Sequence, residues 1–343
     1  MTTKPSPVYP NWEATTPPAA GFDPTKLAKA KQWLDERAGP SGRYRVVIVR
    51  GGRLVAEWYW GVERGEPLRL ASAAKSIFSC ILAIAIAEGK IASADDPVVD
   101  YYPEMMDVPE GAGPKPGRYA FPANRAITFR QLISNTSGYM KPGEAPGQVF
   151  NYQTFGMNIL AHAIARVYGL YDSSDPEGSP GLKPLIESRI AEPIGMHFRY
   201  YKANFDLPPA ARIHIFGYYD GVSATALDMA RLGWLWRHWG WWGERQIVPT
   251  TWLREATQVA PAIRANCPAS DWQYGYGFWT NQEGQLWPNL PRASFAAAGA
   301  GSQHIWVCPS LDLVVVQSPG LWQDQAENNH GVLRLIVEAL SET

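Results

Sequence analysis

Charge imbalance, cysteine and long apolar runs are what this sequence has least of. Its 31 basic and 32 acidic side chains leave a formal net charge of −1 over 343 residues. Such a balance supplies no bulk attraction to nucleic acid or to an anionic membrane, so neither is expected as a partner. Cysteine occurs three times, at Cys80, Cys267 and Cys308, far apart and without metal-ligand spacing. The six histidines are scattered and make no His-x-x-x-His pair. No metal and no organic cofactor is implied. The stretch from Met1 to Pro7 lacks the apolar core of a secretory signal, which sets the expectation of a cytoplasmic protein.

What is present describes a folded chain: 46% hydrophobic and 18% charged residues, enough for one large domain or two lobes. Aromatic side chains are abundant, with fifteen tryptophans, several of them between Trp234 and Trp242. A membrane-interface or carbohydrate-facing use is open to such a run, but large aromatics more often build a core or a pocket wall.

One segment organises the rest. From Ser72 the chain reads Ser-Ala-Ala-Lys-Ser-Ile-Phe-Ser-Cys and stays apolar to Glu88, with no Pro or Gly before Gly89. The periodicity predicts a helix that is apolar on almost every side, hence central to a core. The uncharged run between Lys75 and Glu88 is too short to span a bilayer. Ser72 and Lys75 are three residues apart and share one face, so hydroxyl and amine can touch. Burial and the positive end of the helix both disfavour a charged Lys75, which makes it a proton acceptor for Ser72. Ser-x-x-Lys is then an activated nucleophile on a rigid element. The plain alternative is a capping serine and a lysine that snorkels to solvent.

Along the chain, residues 1–22 read as an extended arm and Pro24 to Glu36 as a helix. The β-rich runs Tyr44–Arg50 and Leu54–Trp60 flank Gly51-Gly52, a hairpin signal. Residues 90–242 are expected to hold helices between Gly/Pro loops, including a Thr-capped one at 127–134, one at 158–167 and one at 225–236. After Gly243 strands return at 276–280, 303–308 and 313–317, and a helix over 331–340 closes the chain. The predicted assembly is an α/β (α+β) fold: an antiparallel sheet built from both termini (23–89 and 243–343), flanked by helices, with an all-helical lobe (90–242) inserted. The Ser72 helix would lie between the lobes, where clefts form.

Six stretches, in order, resemble the serine β-lactamase and penicillin-binding-protein superfamily, in particular its class C-like esterase and nylon-oligomer (6-aminohexanoate) hydrolase branch. They are Ser72–Lys75, Ile127–Gly138, Phe150–Thr154, Glu192–Met196, Ser223–Asp228 and Ala298–Gln303. Any one match is weak; six in sequence, with about eighty residues from the serine to the tyrosine, are specific. The resemblance covers about residues 25–340 and implies the β-lactamase/transpeptidase-like fold. Tyr152 matches the family's motif tyrosine, with Thr154 at the third place of that motif. A phenol beside an ammonium is expected to have its pKa lowered, so that Tyr152 can relay the Ser72 proton to a leaving group. The third motif, basic in the family, falls on Ala297-Ala298-Gly299; there Gly299 allows close approach and the Ala300 N–H joins that of Ser72 as an oxyanion hole. Asn135 stands where the family often has His, Trp279 is a candidate pocket wall, and these two with Thr154 and Gly299 are expected to meet the substrate.

The resemblance therefore implies a serine hydrolase that cleaves an ester or amide through an acyl-enzyme on Ser72. Without the third-motif cation, which in the family helps hold a substrate carboxylate, weak β-lactamase activity and uncharged acyl groups are expected. Its partner is a small-molecule ester or amide. The alternatives are a D-amino-acid peptidase or penicillin-binding protein, an acyltransferase, and, last, a non-catalytic binder of the same fold.

Overall fold

The computed structural model describes residues 12–38, 42–203, 213–216, 218–318 and 331–341. The first eleven residues of the expected arm lie outside them. The helices are α1 (Pro24–Arg37), α2 (Ala74–Ala87), α3 (Phe129–Ile133), α4 (Phe155–Val167), α5 (Lys183–Ile186), α6 (Ile213–Phe216), α7 (Ala226–Arg237), α8 (Thr250–Ala256), α9 (Pro261–Asn266) and α10 (Gly331–Glu338). The strands are β1 (Tyr44–Arg50), β2 (Arg53–Trp60), β3 (Leu68–Arg69), β4 (Arg199–Ala203), β5 (Tyr219–Ala224), β6 (Trp241–Trp242), β7 (Arg245–Gln246), β8 (Trp279–Thr280), β9 (Phe295–Gly299), β10 (Gln303–Cys308) and β11 (Leu313–Gln317).

Six strands make one antiparallel sheet in the order β2-β1-β11-β10-β9-β8, so the two ends of the chain meet at its centre. The hairpin between β1 and β2 turns on Gly51 and Gly52, both at positive φ (58° and 77°), which a Cβ-bearing pair would resist. Register is set by burial on both faces. Val46, Ile48 and Val315 pack with Trp58 and with Leu27, Leu34, Leu333 and Ile336 of the terminal helices. Val47, Val49, Val314 and Val316 pack into the larger core that holds α2, α4 and α7. A strand buried on both sides loses the alternation of a half-exposed one, which is why β1 and β11 read as continuous apolar runs. The described part of the arm lies along β2: Leu54 N donates to Glu13 O and Thr15 N to Leu54 O, both at 2.9 Å. That pairing covers part of an edge strand.

Two expectations change. The segment between the sheet halves is not all helical, because β4 and β5 pair there with β3 in a second antiparallel sheet. Helix α7, expected in the inserted lobe, packs instead on β10, β11 and β1 of the large sheet. Gly233 lets it approach: a Cβ there would stand 2.4 Å from Val314 Cγ1 and 2.9 Å from Ile305 Cγ2. Overpacking of this kind costs about 1–3 kcal/mol, against about 1 kcal/mol regained from helix propensity. Gly233→Ala is therefore expected to lower the denaturant midpoint, with a net loss of up to about 2 kcal/mol. An unchanged or raised midpoint would mean that α7 does not sit this tightly on the sheet. Among the described residues no helix is long and apolar enough to cross a membrane.

Candidate active site

Helix α2 is buried from Ala74 to Ala85, and a 3-10 turn over Ala71–Ala73 leads into it. Ser72 sits in that turn and Lys75 in the first turn of the helix proper. Lys75 Nζ donates to Ser72 Oγ at 2.6 Å, and the lysine is 1% exposed. Burial alone lowers its pKa, from 10.5 to about 7, so the amine is substantially neutral at neutral pH. Such an amine can accept a proton from the hydroxyl it already faces.

Tyr152 lies over this pair. Its hydroxyl lies near Ser72, and its ring centroid is 4.9 Å from Lys75 Nζ. At 36% exposure its outer part can be reached from solvent. The expected lowering of its pKa is reversed: burial raises it, and the nearby Ser72 hydroxyl only partly offsets that. The physical reason is that Lys75, itself held near neutrality by burial, does not confront the phenol with a full positive charge. Burial thus leaves Tyr152 protonated, as a donor, beside an amine that is largely neutral.

Asn135, expected to meet substrate, is 2% exposed and does something else. Its carbonyl accepts from Asn151 N at 2.8 Å and its Oδ1 from Gln153 N at 2.9 Å, so it grips the backbone on both sides of Tyr152. Asn135 is itself at φ 57°, a left-handed conformation that Asn tolerates better than most residues. It is a positioning residue for the tyrosine loop. Thr154 ends that loop and opens α4; its hydroxyl makes no capping hydrogen bond to the helix.

Strand β9 brings the third motif to the same place. A Cβ on Gly299 would stand 2.1 Å from Leu70 O, 2.9 Å from Ala73 N and 3.1 Å from Ser72 N. Only glycine allows this contact between β9 and the Ser72 turn. Ala300 follows at once, exposed, in the turn to β10. Ala297, at the motif's basic position, is fully buried. His304, paired across from Ala298, is pushed down to about 4 by burial and is neutral at physiological pH. This corner of the site therefore presents no cation from β9 or from His304.

Trp279, from β8, stacks on Tyr152 with centroids 5.6 Å apart and planes at 29°. Tyr274 meets both edge-on, at 5.8 Å from Tyr152 and 5.0 Å from Trp279, and Phe150 lies 5.5 Å from Tyr274. These rings form an apolar wall beside the Ser72–Lys75 pair. The tryptophan run does not contribute to it: Trp234 and Trp236 are 1% and 0% exposed and belong to the core around α7. Tyr274 and Tyr219 had no motif to mark them; only the fold brings them to the site. Cys80 and Cys308 are buried and Cys267 half-buried, none of them disulfide-bonded. Among the described residues no group of three or more His, Cys, Asp or Glu stands together as a metal site.

A fold with a Ser-x-x-Lys pair at the head of a buried helix, a tyrosine above it and a glycine strand beside it defines an active-site serine protein. The chain belongs to the beta-lactamase family, whose model matches residues 34–319. Among curated proteins none matches it in sequence. Its fold is similar to that of a protein from Bacteroides dorei provisionally named a beta-lactamase, at 18% identity over 93% of this chain and 99% of that one, with a TM-score of 0.67. It is also similar to EstCE1, a hydrolase with promiscuous acyltransferase activity, at 17% identity over 93% and 99% of the chains and a TM-score of 0.64. A protein from Bacillus anthracis provisionally named a 6-aminohexanoate-dimer hydrolase aligns at 20% identity over 92% and 83%, with a TM-score of 0.62.

Proposed function

We propose that this protein is a serine hydrolase of carboxylesterase or amidase type, acting on an uncharged small-molecule ester or amide. The observation that carries the reading is the 2.6 Å contact between Ser72 Oγ and a buried Lys75 amine whose pKa is lowered to about 7. Ser72 Oγ attacks the carbonyl carbon as its proton passes to Lys75 Nζ. The carbonyl oxygen takes up the negative charge, facing the Ser72 and Ala300 N–H groups. The C–O or C–N bond then breaks, and the leaving alkoxide or amine is protonated through Tyr152, with Lys75 behind it. Water adds to the acyl-enzyme by the same route in reverse order, giving the acid and free Ser72. Acyl transfer differs only in that an alcohol or amine replaces that water; the likeness to EstCE1 keeps it as the second reading.

Esterase or amidase is preferred over D-amino-acid peptidase because Ala297 and a neutral His304 supply no cation for a substrate carboxylate. A charge-assisted hydrogen bond contributes about 1.5–3 kcal/mol, which sets the scale of the preference. Short p-nitrophenyl esters are expected to be hydrolysed with kcat/KM about ten- to a hundredfold above that of the carboxylate-bearing cephalosporin nitrocefin. Steady-state rates over an ester, anilide and nitrocefin panel measure this. Faster turnover of nitrocefin, or stable acylation by penicillin, would favour the β-lactamase or penicillin-binding reading.

A further inference from the structure

We infer that Tyr219 and Tyr201, two phenols of the second sheet, are positioning residues that hold the Ser72 turn in its working conformation. The inference rests on the acyl-enzyme reading above. Ala71, immediately before Ser72, is at φ 48°. A residue with a Cβ adopts that left-handed conformation only where its surroundings hold it there. Here the second sheet holds it. The Tyr219 hydroxyl, from β5, donates to Ala71 O at 3.0 Å, and the Tyr201 hydroxyl, from β4, lies near the Ala71 backbone.

The rest of the second sheet is built for this contact. Tyr201 is paired with Gly221, where a Cβ would fall 2.2 Å from its ring, so the ring lies across β5 only because that position is glycine. The Arg69 guanidinium covers the same ring at 4.5 Å from its centroid. Leu70 N donates to Val222 O at 2.8 Å, tying the residue before Ala71 to the same strand. Tyr219 is fully enclosed, and burial holds its phenol protonated, so it stays a donor throughout the working pH range. Its ring centroid is 5.6 Å from Lys75 Nζ, and its face helps exclude water from the amine. Neither phenol is placed on the reacting carbonyl. They act through Ala71, whose twist sets the direction of the Ser72 N–H and hydroxyl.

The test uses the full chain with Tyr219→Phe and, separately, Tyr201→Phe. It measures the second-order rate of fluorophosphonate labelling, kcat and KM for a p-nitrophenyl ester across pH, and the unfolding midpoint. Loss of the Ala71 contact is expected to slow labelling and lower kcat by about ten- to a hundredfold. KM and the half-point of the pH profile at about 7 should stay in place. Labelling at the wild-type rate overturns the inference, as does a loss that tracks the unfolded fraction. If Tyr219→Phe does not fold, Tyr201→Phe alone decides on the same criteria. Failure of the hydrolase reading looks different: the wild-type protein itself is not labelled, or Ser72→Ala is labelled as fast.

Discussion

Ser72→Ala is expected to reduce ester turnover by about 10⁴-fold or more and to end covalent labelling by a fluorophosphonate. The size follows from the site having one nucleophile. Lys75 Nζ faces Ser72 Oγ, and Tyr152 lies near the same hydroxyl, so in the proposed mechanism removing that oxygen leaves both proton carriers without a task. The alanine variant should fold normally. Ser72 lies in a short 3-10 turn, and its side chain makes no cap to helix α2. Residual binding of substrate with no turnover is the expected state of the variant. Turnover within tenfold of wild type would remove Ser72 from the chemistry, and with it the acyl-enzyme.

The second large effect has two opposite parts. Lys75→Met should lose nearly all activity and yet gain stability below neutral pH. The sign follows from linkage. In the folded protein the Lys75 pKa is lowered from 10.5 to about 7, so between those values the unfolded chain binds a proton that the native state does not. Stability therefore rises with pH across that window, and the full penalty of the buried amine is felt below about 7. That penalty is on the order of a few kcal/mol. Methionine fills a similar volume without a charge to desolvate. Denaturant unfolding at pH 6 and pH 9 measures the difference, which should favour the variant and shrink at the higher pH. A variant less stable than wild type at pH 6 would mean that Lys75 is solvated or paired in the native state.

Much of the fold was legible because its signals are local. The apolar run after Lys75, the Gly51-Gly52 turn between β-rich strands and the Thr128 cap of α3 each state their structure within a few residues. Strands β4 and β5 were not legible. Arg199–Ala203 mixes exposed and half-buried positions, and Tyr219–Ala224 contains Gly221, which weakens a strand but makes room for Tyr201. The expected strand over 276–280 shortens to Trp279–Thr280 because Gly277 takes φ 81° and spends its carbonyl on Ser76 Oγ, at 2.6 Å.

The site divides in the same way. Ser72 and Lys75 are local, three residues apart on one element. Tyr152 was one of sixteen tyrosines, picked out by motif order rather than by its own surroundings. Trp279, named as a pocket wall, does lie against Tyr152. Asn135 was assigned to substrate because a motif position says nothing about which way a side chain faces; its buried amide grips the Tyr152 loop instead. The direction of the Tyr152 pKa was also out of reach, since it depends on how far burial has already neutralised Lys75.

The most direct measurement of the central claim is the pH dependence of fluorophosphonate labelling of the wild-type protein between pH 5 and pH 10. A desolvated Lys75 amine acting as base predicts a rate that rises with pH, reaches half its plateau at about 7 and stays level above it. A rise centred near 10, where an ordinary lysine loses its proton, or a rate flat across the range, would contradict it.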